Sequence, residues 1–152
     1  MNRPPLLILA VGNPSRGDDA LGPLLIDQLQ GQAGDAVELL GDFQLQIEHA
    51  LDLQGRRAVL FVDAAWPGHA PQPVRLDRIE PETAPMLLTH ALRPQSLLGL
   101  ARQLHGQVPP AWLLSITGVA FSLGEGLSAP ALAHLQAAHR EALGWIASRC
   151  RP

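Results

Sequence analysis

Three side chains that could hold a metal ion stand out by their position in the sequence. Asp19 closes an acidic segment that follows the first apolar run, Asp63 directly follows the apolar residues 58–62, and His90 lies in a long irregular segment. In an open α/β sheet, ligands bind beyond the carboxyl ends of the strands, where successive connections diverge to opposite faces. If the first strand lies between the second and the third, Asp19 and Asp63 converge at that edge, and His90 is free to complete the set.

Two carboxylates and one imidazole suit a divalent first-row transition metal. Nickel, zinc, cobalt and manganese all accept such oxygen and nitrogen ligands, and three protein ligands leave coordination positions for water or a substrate group. A metal held in this way could act as a Lewis acid or activate water for hydrolysis. A weakly held metal could instead belong to the partner that the protein recognises.

Each of these residues also has a structural interpretation. Asp18 or Asp19 could cap the first helix and complement its dipole, and His90 could be an ordinary surface histidine. A structural role is harder to assign to Asp63, because a carboxylate after a buried strand must be solvated, paired or metal-bound. The remaining histidines are expected to be structural, packed or exposed: His49, His69, His105, His134 and His139.

The composition and the missing motifs argue against several other kinds of functional site. All eleven basic residues are arginines, so the chain has no lysine for a Schiff base or for a Walker-type phosphate loop. Its one cysteine, Cys150, can form no internal disulfide and supplies no cysteine-based zinc site. The net charge of −3 argues against nucleic-acid binding, and no G-x-G-x-x-G or G-x-S-x-G motif is present.

Five segments have the hydrophobic pattern of strands. Four read as buried strands, in which apolar residues run on without alternation, and one alternates as an edge strand does. The buried candidates are residues 6–11, 36–40, 58–62 and 112–117, and the edge candidate is residues 74–79.

The segments between and after these strands have the periodicity of amphipathic helices. Helices are predicted over about 20–31 and 45–53. Two more are predicted to begin at Pro94, which is followed by leucines at helical spacing, and at Ser128, whose side chain is a favoured N-cap. The last helix is expected to bury one face made of Leu132, Leu135, His139, Leu143 and Ile146.

The order β-α-β-α-β-β-α-β-α indicates an α/β fold, with a mostly parallel sheet, one antiparallel edge strand and helices on both faces. A chain of 152 residues with 47% hydrophobic residues is expected to form a single domain, residues 1–152. The apolar run 6–11 is too short for a secretory signal, and no stretch approaches the length of a membrane span. A cytoplasmic protein that binds no membrane is therefore expected.

Three motifs resemble those of the hydrogenase maturation endopeptidases, and the resemblance covers nearly the whole chain. They are Val-Gly-Asn-x4-Asp-Asp-x2-Gly from Val11 to Gly22, Val-Asp-Ala at 62–64, and Thr-His at 89–90. The resemblance implies a three-layer sandwich, in which a twisted five-stranded sheet lies between helices. It also implies removal of a short C-terminal peptide from the precursor of the [NiFe]-hydrogenase large subunit after nickel insertion, with this precursor as the partner.

In that family, the ligands that probe the nickel are matched here by Asp19, Asp63 and His90, which are also the implied catalytic residues. The nickel would be recognised in the precursor, and another divalent metal such as zinc or cadmium could occupy the same site. Asp18 or Asp19 could assist the attack of water, or the metal could polarise the scissile carbonyl.

The chain departs from the family pattern in two places, and the second bears on substrate choice. Ala10 replaces the first glycine of the family's G-x-G-N motif, and residues 41–49 replace the paired glycines that many members carry. The latter segment resembles the branch that serves cytoplasmic NAD-reducing hydrogenases. Two alternatives remain: a non-catalytic nickel-binding maturation chaperone, and a small hydrolase related in fold to peptidyl-tRNA hydrolases, which the lack of a basic groove disfavours.

Overall fold

The computed structural model describes residues 3–67, 72–83 and 92–150. In these ranges, a five-stranded sheet consists of β1 Leu6–Val11, β2 Val37–Asp42, β3 Ala58–Ala65, β4 Val74–Ile79 and β5 Ala111–Thr117. The helices are α1 Leu21–Leu29, α2 His49–Asp52, α3 Pro94–His105 and α4 Ala129–Arg149, and a short 3-10 helix, Gly17–Ala20, precedes α1.

The strand order across the sheet is β2-β1-β3-β5-β4. β4 runs antiparallel to β5 and every other pairing is parallel, so the predicted α/β fold with one antiparallel edge strand is confirmed. β1 lies between β2 and β3, which is the condition for the two aspartates to converge. Because crossovers between parallel strands are right-handed, this order sends α1 and α2 to opposite faces and creates a switch point between β1 and β3.

Both faces of the sheet are covered, which explains the unbroken apolar runs in the strands. From β1, Leu6 and Ile8 belong to the core shared with α1 and α4, whereas Leu7 and Leu9 belong to the core shared with α2 and α3. All four are at most 1% exposed. The helices thus enclose the sheet as a middle layer and leave its ends free to carry a site.

The second helix is shorter than predicted. Instead of the expected 45–53, the helix is a single turn, His49–Asp52. Leu45 is nevertheless buried, as the periodicity indicated, but the backbone at Gln46 donates a hydrogen bond to the His49 side chain rather than continuing a helix. This local side-chain contact competes with helix formation.

The last helix begins where predicted, and its buried face includes Leu135 and Ile146 of the predicted residues but not Leu132. The Ser128 hydroxyl accepts a hydrogen bond from the Ala131 amide at 3.2 Å, which confirms the N-cap. Leu132 is 53% exposed, so its predicted burial is wrong. The face that packs on the sheet consists of three alanines and three large apolar residues: Ala131, Leu135, Ala138, Ala142, Trp145 and Ile146. Alanines let the helix lie close to the strands, and Leu132 lies outside this buried face.

His139 is half-buried on α4, as expected, and its Nε2 donates a hydrogen bond to Gln32 Oε1 at 2.7 Å. No helix among the described residues is both long enough and apolar enough to cross a membrane.

Candidate functional site

A tight turn after β1 carries Asp19 to the carboxyl edge of the sheet. Gly12 has a φ of +151°, and a Cβ atom there would lie 2.1 Å from the Asp19 carbonyl oxygen, so glycine is required. Asn13 completes the turn: its amide donates to Asp19 Oδ2 at 2.7 Å, and its side-chain oxygen accepts from the Ser15 amide at 2.9 Å. The turn therefore fixes both the backbone and the carboxylate of Asp19.

Asp18 points into the protein and is fully buried. Its carboxylate accepts four hydrogen bonds from the segment after β5: the amides of Val119, Ala120 and Ser128 at 2.7, 3.0 and 2.8 Å, and the Ser128 hydroxyl at 2.7 Å. Burial raises the pKa of Asp18, but these hydrogen bonds outweigh burial and hold the pKa below its ordinary value. Asp18 is thus a structural carboxylate that ties the first turn to residues 119–128. The alternative that Asp18 or Asp19 caps the first helix is wrong, because no side chain caps the 3-10 helix or α1.

Asp63 lies within β3 rather than after it, because the strand continues to Ala65 and pairs Asp63 with Ser115 of β5. The side chain is half-buried. Burial, the largest cause, and the negative charge of Asp19 raise the pKa of Asp63, the amide of Ala64 opposes them, and the net pKa is about 7. Asp63 and Asp19 are therefore close enough to repel one another.

Both carboxylates line one cavity of about 220 Å³ at the switch point between β1 and β3. Among the other lining side chains, Val11, Phe43 and Leu92 are apolar, and Arg93 is charged and paired with Glu82. The convergence expected from the sequence is what the geometry shows.

Two carboxylates that share a half-buried site favour a cation between them, since a positive charge relieves their repulsion and stabilises both charged forms. Oxygen ligands of this kind fit a divalent metal. His90, the third predicted ligand, lies outside the described residues. Within the ranges that the structure describes, no group of three or more His, Cys, Asp or Glu side chains could hold a metal ion. The metal-ligand roles of Asp19, Asp63 and His90 stay predictions.

The other histidines that the structure describes are exposed or make contacts within the fold. His105 is exposed, and the half-buried His134 donates from Nδ1 to the Thr117 carbonyl oxygen at 2.7 Å. His69 lies outside the described residues. His49 is buried and contacts Asp42 at the end of β2, a pair that the sequence analysis did not single out.

The sequence analysis also missed the contribution of Asn13 to the site. Its type and place carried a usable signal, because asparagine next to glycine directly after a strand is typical of a turn in which the side chain bonds the backbone two residues on. Its further bond to Asp19 depends on the 3-10 helix that follows, whose geometry the sequence pattern does not fix.

Large apolar side chains are exposed along the same edge of the sheet. Phe43 follows β2 and is 66% exposed, Trp66 follows β3 and is 61% exposed, and Leu123 lies in the segment after β5 and is 66% exposed. The Trp66 ring packs against Phe121, with 4.3 Å between ring centroids. Large apolar side chains that are exposed together at one edge are typical of sites that bind another macromolecule.

No protein-family model matches the chain, and no curated protein matches its sequence. Several solved structures are similar in fold. The hydrogenase maturating endopeptidase HybD from Escherichia coli is 24% identical with a TM-score of 0.72, and the match covers 99% of this chain and 94% of that one. The [NiFe] hydrogenase maturation protease HycI from Thermococcus kodakarensis KOD1 is 20% identical with a TM-score of 0.70, over 95% and 94% of the two chains.

A hydrogenase 2 maturation peptidase from Thaumarchaeota archaeon SCGC_AB-539-E09 is 22% identical with a TM-score of 0.67, over 93% of this chain and 97% of that one. At these identities, the likeness establishes a common fold over nearly the full length of the chains.

Proposed function

We propose that this protein is an endopeptidase that removes the C-terminal extension of a [NiFe]-hydrogenase large-subunit precursor after nickel has been inserted. The observation that carries the proposal is the meeting of Asp19 and Asp63 in one cavity at the β1/β3 switch point. Their motifs resemble those of the maturation endopeptidases, and solved structures with this fold bear that name.

Asp19, Asp63 and His90 bind the nickel ion that is already seated in the precursor. The mutual repulsion of the two carboxylates supports this role, because a divalent cation between them stabilises both ionised forms. Leu92, two residues along the chain from His90, lines the same cavity. Zinc or cadmium would occupy the same ligands in place of nickel, since both are divalent and accept oxygen and nitrogen donors.

Cleavage then follows from the position of the scissile bond beside the carboxylates. Water attacks the carbonyl carbon, a carboxylate takes the water proton, and the proton passes to the leaving amide nitrogen, which yields a new carboxylate and a free amine. Asp19 is the better candidate for this proton transfer than Asp18, because four hydrogen bonds already occupy the buried Asp18 carboxylate. The nickel of the precursor can also polarise the carbonyl.

Nickel recognition makes the enzyme a checkpoint on cofactor assembly. A precursor without nickel lacks the binding contribution that brings the scissile bond into the reactive geometry, and it is therefore cut slowly or not at all.

The exposed apolar side chains around the cavity favour a protein substrate. Phe43, Trp66 and Leu123 are each more than half exposed at the edge that carries the carboxylates, and docking of a precursor would bury them. The segment 41–49 resembles that of the branch serving cytoplasmic NAD-reducing hydrogenases, so we assign the protein to the cytoplasm and its substrate to that class.

The test compares nickel-loaded with nickel-free precursor, each incubated with the purified protein while the mass of the large subunit is followed. We expect only the loaded precursor to lose its C-terminal peptide. Equal trimming of both would refute metal gating. If neither precursor is trimmed while the protein binds nickel tightly, the chaperone alternative is correct and the peptidase proposal is wrong.

His90→Ala tests the third ligand in the same assay, and we expect it to abolish trimming. His105→Ala is the matched control, because His105 is an exposed histidine at the end of α3. Unimpaired trimming by His90→Ala would remove His90 from the site.

A further inference from the structure

The six residues between β2 and α2, residues 43–48, form one wall of the cavity. Phe43, Gln44 and Leu45 all line it. Leu45 is only 6% exposed and anchors the segment in the core, whereas Phe43 is 66% exposed beside the cavity. This segment thus offers an apolar ring and an amide side chain to whatever lies over the two carboxylates.

Asp42 fixes the start of this segment through three contacts. Its carbonyl oxygen accepts a hydrogen bond from the Gly12 amide at 3.1 Å, which joins it to the turn that positions Asp19. Its Oδ1 accepts from the Phe43 amide at 2.7 Å, and its Oδ2 lies 3.4 Å from His49 Nε2.

His49 fixes the other end. Its backbone amide donates to the Gln46 carbonyl oxygen at 3.0 Å, and its Nδ1 accepts from the Gln46 amide at 2.8 Å. Because Nδ1 is an acceptor, the neutral ring carries its proton on Nε2, the nitrogen that faces Asp42. The buried imidazole therefore connects the middle of the segment to the end of β2.

We propose that Asp42 and His49 are positioning residues that hold Phe43 and Gln44 against the precursor beside the scissile bond. This inference rests on the proposed function. Phe43 packs on an apolar side chain of the precursor, and Gln44 hydrogen-bonds its backbone. Bracing the segment in advance removes the entropy cost of ordering it during binding, which raises affinity without touching the reacting atoms.

A purely structural role for the Asp42–His49 pair makes a different prediction. In that case, loss of His49 would lower the stability of the protein and leave KM unchanged. A positioning role instead raises KM and leaves kcat nearly constant, since the interaction is present before and during the chemical step.

The experiment measures KM and kcat of the full chain on the nickel-loaded precursor, together with the melting temperature. We expect Phe43→Ala to raise KM about tenfold, with kcat within about twofold of the wild type, because an exposed aromatic anchor contributes binding energy. The melting temperature should stay unchanged, since the Phe43 ring is mostly exposed. His49→Ala should raise KM to the same extent.

Two further variants separate positioning from general damage. His49→Asn keeps an acceptor for the Gln46 amide, so its KM should lie close to the wild-type value. His139→Ala is the control. His139 lies on α4, on the opposite face of the sheet, and bonds to Gln32, so this change should leave KM unchanged.

The double variant Phe43→Ala/His49→Ala provides the decisive comparison. If His49 acts through Phe43, removing it in the Phe43→Ala background adds at most about twofold to KM, so the two changes are not additive. An unchanged KM for Phe43→Ala, or fully multiplicative effects in the double variant, would overturn the inference while the wild type still trims the precursor. Failure of the wild type to trim would overturn the proposed function, and the inference would fall with it.

Discussion

At the residue scale, two neighbouring aspartates have opposite environments. Asp18 is fully buried under four hydrogen bonds, whereas Asp19 is half-buried at the cavity and accepts a hydrogen bond from the Asn13 amide. The 3-10 helix that contains them turns by about 120° per residue, so consecutive side chains point in different directions. One carboxylate therefore stabilises the fold, and the other is available for chemistry.

Stability measurements distinguish the two aspartates. Asp18→Ala leaves three amides and a hydroxyl without their acceptor, so we expect a loss of about 3 kcal/mol or more in the free energy of unfolding. Asp19→Ala removes a single, partly buried hydrogen bond and should cost about 1 kcal/mol or less while it abolishes trimming. Urea unfolding and the precursor assay check both expectations; a larger stability loss for Asp19→Ala would contradict the assignment.

Asp63 is expected to destabilise the fold at neutral pH. Its folded-state pKa of about 7 lies above the ordinary value of 3.8, so between these pH values the folded protein holds a proton that the unfolded chain has released. Stability from this group is therefore full below pH 3.8 and is lost as the pH rises through 7.

Asp63→Asn removes that dependence, because the amide resembles the protonated acid and does not titrate. We expect the variant to be more stable than the wild type by up to about 4 kcal/mol at pH 8, with little difference at pH 4. Urea unfolding over this pH range measures the effect. A stability difference that does not change with pH would contradict the raised pKa.

At the element scale, α4 and the segment before it link the site to the core. Asp18 binds residues 119–128, and Ser128 at the end of that segment caps α4. The helix then packs on the sheet through alanines such as Ala138 and Ala142, which are fully buried. The position of the first turn, and hence of Asp19, therefore depends on a helix near the other end of the chain.

Substitutions on α4 test which face it buries. Ala138→Leu forces extra volume into a close contact between helix and sheet and should destabilise the protein by about 2 kcal/mol. Leu132→Ala changes a side chain that is 53% exposed and should change stability by about 0.5 kcal/mol or less. Thermal unfolding of both variants gives the answer, and a larger loss for Leu132→Ala would restore the face predicted from the sequence.

At the scale of the whole molecule, the strand order places the two candidate carboxylates at one edge of the sheet. β1 and β3 are adjacent and parallel, α1 and α2 lie on opposite faces of the sheet, and the cavity lies at the carboxyl ends of the two strands. The exposed Phe43, Trp66 and Leu123 lie on segments that leave this same edge. A protein substrate that docks there would meet the carboxylates and the apolar side chains together.

The sequence by itself determined the order of the elements and, on the condition that β1 lies between β2 and β3, the edge at which Asp19 and Asp63 meet. Unbroken apolar runs such as 6–11 and 58–62 identify strands covered on both faces, and parallel strands joined by helices bring their carboxyl ends to a common edge. These inferences need only local patterns and the handedness of the connections, both of which a single sequence contains.

Only the tertiary structure decided which aspartate is structural, which face α4 buries and that Asp42 contacts His49. The Asp18 carboxylate is bound by Ser128, 110 residues along the chain, and a local pattern carries no information on such a partner. The orientation of α4 depends on how closely its alanines approach the sheet, and the Asp42–His49 contact depends on the path of a six-residue loop. Each is set by packing and hydrogen bonds between segments, which the periodicity of one segment cannot specify.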